Sequence, residues 1–281
     1  LFLPFEVASS VLKKIQYHAG RVLDVLLITL SAFFCIGTIA AQLAGPSPKP
    51  TGAHESFDPT LQSVTSVDAA VGYVLGETTL RSPAALAAAT DEFVRRRFFH
   101  DFSKLRVRDD WLAYLAGFVW GNLRVPVLPD DILRYPQAAC SQQSIVFQAI
   151  ARRLGLDVGS VRLKDHFVAA AKIDGQWQVF DPDREISVRS YPLAALLKAD
   201  PAVMTAYGAW GRSISLEAQA AHGEIRLTDV NGNPAPNGSL FQRLTHFFSH
   251  YGWLLFAALA FARFARPSRV FDRLTPAEAA G

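Results

Sequence analysis

Apolar positions follow two kinds of pattern along this chain: unbroken runs near the two ends, and periodic stretches between them. The run Val22–Ala44 has the core VLLITLSAFFCIGTIAA and carries Asp24 and Gln42 only near its edges. At ~1.5 Å per residue, a helix of this length spans a hydrocarbon core of ~30 Å, so a transmembrane helix is expected over 22–44. The run Phe247–Phe264 (FFSHYGWLLFAALAFARF) is shorter and meets Arg263 near its end. Thinning of the bilayer and snorkelling accommodate short spans, so a second membrane helix is expected over 247–264. His250, Tyr251 and Trp253 would then lie at the headgroup level, where amphipathic rings are favoured.

Between these runs the period is helical at first. Ser82–Arg97 opens with Ser-Pro, an N-cap followed by proline at the first helical position. Asp109–Asn122 (DDWLAYLAGFVWGN) opens with two acidic residues, which a helix N-terminus favours. Pro126 and Pro129 then break the chain. In Gln137–Leu156 (QAACSQQSIVFQAIARRLGL), Val146, Phe147, Ile150, Ala151 and Leu154 recur on one helical face, and Gly155 suits a C-terminal cap. A helix therefore starts close to Cys140. The period then changes. His166–Ile173 and Gln176–Asp181 flank Asp174-Gly175, a strong signal for a two-residue hairpin. That turn pairs Ile173 with Gln176, Val168 with Asp181 and His166 with Asp183. His166, Val168, Ala170, Trp177, Val179 and Asp181 then share a face, with His166 and Asp181 as diagonal neighbours ~7–8 Å apart at the backbone. The fold expected is α+β: a helical part containing the cysteine helix, packed on an antiparallel sheet and flanked by two transmembrane helices.

Charge orients these elements. Lys13, Lys14 and Arg21 precede the first apolar run, and only Lys49 closely follows it. Arg263, Arg266, Arg269 and Arg273 close or follow the second, which Arg243 precedes. The positive-inside rule places both termini in the cytoplasm. The expected organisation is a cytoplasmic segment 1–21, a membrane helix 22–44, a Pro/Gly/Ser-rich linker 45–60, an extracytoplasmic domain 61–228, a second linker 229–246, a membrane helix 247–264 and a cytoplasmic tail 265–281. The location expected is a bacterial inner (plasma) membrane with the central domain on the periplasmic side.

Half of the 281 residues are apolar, in keeping with membrane-buried chain, and the net charge of +3 gives no reason to expect nucleic acid as a partner. The two cysteines, Cys35 and Cys140, fall in an apolar run and a polar segment respectively. A disulfide between them is implausible, no Cys/His spacing resembles a zinc site, and no cofactor or metal is expected. Arg95-Arg96-Arg97 reads as a solvated helix face, and His100 and His222 read as surface residues.

That leaves one thiol in the globular part. A thiol is a nucleophile as thiolate, which a helix N-terminus and a neighbouring imidazolium both stabilise. Cys140 is placed for the first effect. His166 is the candidate for the second and for proton transfer, and Asp181 for orienting the imidazole. Such a set performs acyl transfer through a thioester, with the Cys140 N–H and one further donor, for which Gln137 is a candidate, serving the oxyanion.

Three motifs, AACSQQSIVFQAIARRLGL, DHFVAAAKIDGQW and VFDPD, stand in this order over residues 135–183. Together they resemble the cysteine helix, histidine strand and aspartate motif of the transglutaminase-like superfamily of papain-type folds. The segment covers about a sixth of the chain and departs from the family pattern in having Ala139 where glycine is frequent before the cysteine. The resemblance implies Cys140 as nucleophile, His166 as base and acid, and Asp181 as orienting acid, with no catalytic role assigned to Asp183. It implies a cysteine peptidase, amidase or acyltransferase acting on a peptide, protein or other amide outside the membrane. The alternative is a catalytically silent docking or assembly module. In that reading Phe33, Phe34, Phe247, Phe248 and Phe256 pack on other membrane proteins rather than on lipid.

Overall fold

The computed structural model describes residues 5–44, 56–163, 166–183, 189–208 and 218–265. Its order is α1 (Phe5–Leu43), α2 (Val67–Glu77), α3 (Pro83–Arg97), α4 (Trp111–Val119), α5 (Pro129–Ile132), α6 (Cys140–Arg153), β1 (Val158–Leu163), β2 (His166–Ile173), β3 (Gln176–Phe180), β4 (Tyr191–Pro192), α7 (Leu193–Leu197), α8 (Pro201–Gly208), β5 (Arg226–Thr228) and α9 (Pro236–Phe264). The architecture is α+β, with an antiparallel five-stranded sheet in the order β4-β3-β2-β1-β5. The chain divides into two units, one of Leu1–Gly45, Val107–Leu115 and Leu244–Gly281, the other of Pro46–Arg106 and Ala116–Arg243.

The second unit holds the sheet. Its central hairpin has the register expected from Asp174-Gly175, with Ile173 opposite Gln176 and Ala169 opposite Phe180. Asp174 and Gly175 both take positive φ, 50° and 81°, as a primed two-residue turn requires. Apolar layers cover both faces of β2. One gathers Ala169, Ala171 and Phe180 with Val146, Phe147 and Ile150 of α6 and Phe93 of α3. The other gathers Val168, Ala170 and Val179 with Leu196, Met204 and Tyr207. Close packing on two sides explains the run Ala169-Ala170-Ala171, where larger side chains would overpack the layers. Ser82 caps α3 with Pro83 behind it, and Gly155 closes α6 at φ 85°.

Several expectations need correction. Arg95-Arg96-Arg97 is not a solvated face. Arg95 and Arg97 are buried, Arg95 against Asp91 at 2.6 Å. Arg97 donates to the carbonyls of Val64, Leu133 and Tyr135. Three orphan carbonyls need a donor there, and one planar guanidinium serves them all. Burial pulls the Arg97 pKa down to about 10. Arg96 pairs with Asp58 at 2.6 Å. The expected helix 109–122 is the shorter α4 followed by a 3₁₀ turn, Gly121–Arg124. The expected linker 229–246 is structured. Asn231 accepts from the Val158 N–H at 2.9 Å and donates to Asp157 at 2.7 Å, and α9 begins at Pro236. Residues 45–55 of the first linker and the charges at Lys49, Arg266, Arg269 and Arg273 lie outside the described residues.

In the other unit, the stretch Lys14–Leu43 of α1 is long and apolar enough to cross a membrane, and α1 is the only helix among the described residues to meet that measure. The second apolar run lies within α9. The two helices meet through Ser31 Oγ, which donates to the Trp253 carbonyl at 3.0 Å, and Thr38 Oγ1, which donates to the Ser249 carbonyl at 2.7 Å. Arg263 pairs with Asp24. A Cβ at Gly252 would fall 2.6 Å from the Phe34 ring, so glycine there permits close approach.

Candidate active site

Cys140 is the first residue of α6. The N-cap, Ala139, has no side-chain oxygen, so the helix start relies on Gln142. Its Oε1 accepts from the Ala139 and Ser103 N–H groups, both at 3.1 Å, and its Nε2 donates to the Pro126 and Ser103 carbonyls at 3.1 and 3.4 Å. This is half of a capping box, put to use as a clamp on two remote loops. At the first helical position the Cys140 N–H has no partner within its own helix and suits an oxyanion.

His166 begins β2, and Asp181 directly follows β3. The hairpin register brings them together: His166 Nε2 lies 2.8 Å from Asp181 Oδ2, and both residues are buried. Nδ1 of the ring is buried and, with Nε2 engaged by Asp181, is the nitrogen left to serve the thiol. The Cys140 sulfur, an imidazole nitrogen of His166 and a carboxylate oxygen of Asp183 lie within 4.8 Å of one another. The three expected residues are thus assembled, and a fourth joins them.

The electrostatics are coupled. Burial raises the Cys140 thiol pKa most strongly, but the hydrogen bond and charge of His166 and the Phe167 N–H outweigh it, so the thiol lies below its ordinary range. Burial opposes charge on His166 too, but the Asp181 charge and hydrogen bond, with a further contribution from Cys140, push its pKa up to about 10. Burial likewise opposes the Asp181 carboxylate. His166, the Tyr207 hydroxyl and the Arg95 charge together hold its pKa below the ordinary value. Tyr207 donates to Asp181 Oδ2 at 2.8 Å and receives the Tyr191 hydroxyl.

A second imidazole–carboxylate pair stands beside the thiol. Asp183 Oδ1 contacts His100 Nδ1 and accepts from Gln143 Nε2 at 3.3 Å. The parallel bridge of Phe99 with Gln137 delivers His100 there, since the Phe99 N–H binds the Pro136 carbonyl and the Ala138 N–H binds the Phe99 carbonyl. His100 is exposed, as expected, but its ring is engaged. Asp183, Gln143, Tyr207 and Tyr191 had no sequence signal beyond the proximity of Asp183 to Asp181. Gln137 is half-buried, with Oε1 unpaired. Cys140, His166 and Asp183 make a donor set acceptable to zinc. Their engagement by Asp181, His100 and Gln143 matches proton transfer more directly. No protein-family model, curated protein or solved structure matches the chain.

Proposed function

We propose that the sheet-bearing unit is a transglutaminase-like cysteine acyl-transfer module anchored to a bacterial inner membrane, with both termini cytoplasmic and the module outside. The observation that carries this reading is the buried His166–Asp181 pair beside a thiol at a helix start. Cys140 sulfur attacks an amide carbonyl, and His166 gives its proton to the leaving amine, so a C–S bond replaces the C–N bond. Water or an amine then attacks the thioester, returning its proton through His166 to the restored pair. The substrate class is a peptide, protein or other amide.

A second reading has an observation of its own. The Asp183 carboxylate, close to the sulfur, opposes the thiolate, as a catalytically silent docking module would tolerate. Complementation of a deletion strain by Cys140→Ser separates the two. The enzyme reading expects loss of function at normal protein level, with turnover abolished in Cys140→Ala, His166→Ala nearly as damaging, Asp181→Asn milder, and the losses non-additive. Full complementation by Cys140→Ser would establish the docking reading instead.

A further inference from the structure

The groups suited to moving a proton at Cys140 also suit a metal. Cys140 begins α6, His166 begins β2 and Asp183 follows β3, so tertiary structure alone gathers them. One donor atom from each (the sulfur, an imidazole nitrogen and a carboxylate oxygen) lies within 4.8 Å of the other two. A zinc ion bound tetrahedrally at ~2.0–2.3 Å from each donor needs them about 3.5 Å apart. A closure of about 1 Å would therefore complete the site.

Three features set this group apart from a chance cluster. Thiolate, imidazole and carboxylate together are ligands for zinc, whereas magnesium and calcium take oxygen donors. Two of the donors already have the outer partners that orient metal ligands. Asp181 Oδ2 holds His166 Nε2 at 2.8 Å, which leaves Nδ1 to coordinate. Gln143 Nε2 and His100 Nδ1 hold Asp183 Oδ1. Finally, the Asp183 charge opposes a thiolate at Cys140, and a divalent cation between two anionic groups turns that repulsion into attraction. His166 and Asp183 are buried and Cys140 is half-buried. We propose that Cys140, His166 and Asp183 bind a zinc ion, with water in the fourth position, and that occupancy blocks Cys140 as a nucleophile. Coordination sends the proton shared by Cys140 and His166 to solvent. Regulation of acyl transfer by zinc rests on the function proposed above; the binding itself does not.

The test titrates the full chain in detergent micelles, under a phosphine reductant, with cobalt(II) and then zinc. Cobalt should give a near-ultraviolet thiolate charge-transfer band, which zinc removes and calcium does not. Saturating zinc should protect Cys140 from iodoacetamide, read at that residue by peptide mass spectrometry. Cys140→Ser, close in size, should lose the band, which excludes Cys35 as its source. Asp183→Asn should weaken zinc binding by about tenfold or more, the least that loss of an outer partner costs, with circular dichroism checking the fold. The proposal is overturned by absence of the band, by a band that survives Cys140→Ser, or by unchanged zinc affinity in folded Asp183→Asn. Alkylation of Cys140 undiminished by zinc overturns it without any variant. Complementation by Cys140→Ser bears on the acyl-transfer reading alone and leaves these binding results as expected.

Discussion

The thiol and imidazole at this site shift in opposite directions, and the signs make a pH window. His166 is raised from 6.5 to about 10. It therefore contributes stability that is full below 6.5 and lost progressively as pH rises to about 10. Asp181 is lowered from 3.8, so its contribution is present above 3.8 and lost as pH falls through its folded value. The assembled pair is best supported between these limits. Alkylation of Cys140 by iodoacetamide reads this directly. In the wild type the rate should rise with a midpoint below the ordinary thiol range. In His166→Ala the midpoint should move upward, because burial is then left to dominate. Asp181→Asn should shift it the same way by a smaller amount, since the charge that holds the proton on His166 is gone. An unchanged midpoint in His166→Ala would disprove the coupling.

At the level of elements, α6 is held at its start by a side chain where a capping residue is missing. Gln142→Ala strips partners from two backbone N–H groups and two carbonyls at once, in a site with little water access. A loss of about 1–3 kcal/mol is expected, read from urea unfolding, with Cys140 alkylation losing its depressed midpoint as the helix start loosens. Equal stability in the variant would show the clamp to be idle. What was legible in the sequence follows from range. The 173–176 turn, the Ser82 cap, the Gly155 cap and the cysteine helix are set by residues within one or two turns of each other, and hairpin arithmetic carried that local signal as far as the His166–Asp181 pair. His100, Gln142 and Tyr207 act across 39 to 83 residues of separation or from a different layer, which no periodicity records. Arg97 was misread because a charged run at a helix end looks solvated. The loop carbonyls that bury it are fixed by tertiary structure alone.

For the whole molecule, the topology expected from arginine and lysine placement remains the central test. A reporter fused at Gly281 should report cytoplasm, and a tag inserted at Thr51 should be modified from outside. An exterior C-terminus would show that the second apolar run does not cross. That run has one charge to place, Arg263, and the structure sets it against Asp24 of α1. The two partners are separated by 239 residues, which a ribosome takes on the order of ten seconds or more to make. During that interval α1 exists without α9. Thr38 already donates to the Phe34 carbonyl of its own helix at 2.8 Å, so that hydroxyl has a partner while it waits. Asp24 gains the guanidinium only once the chain has been made through Arg263. The nascent chain thus carries an unmatched carboxylate at the edge of its first apolar run until Arg263 emerges, and quality control could distinguish chains that have reached α9 from chains that stop short of it by that charge.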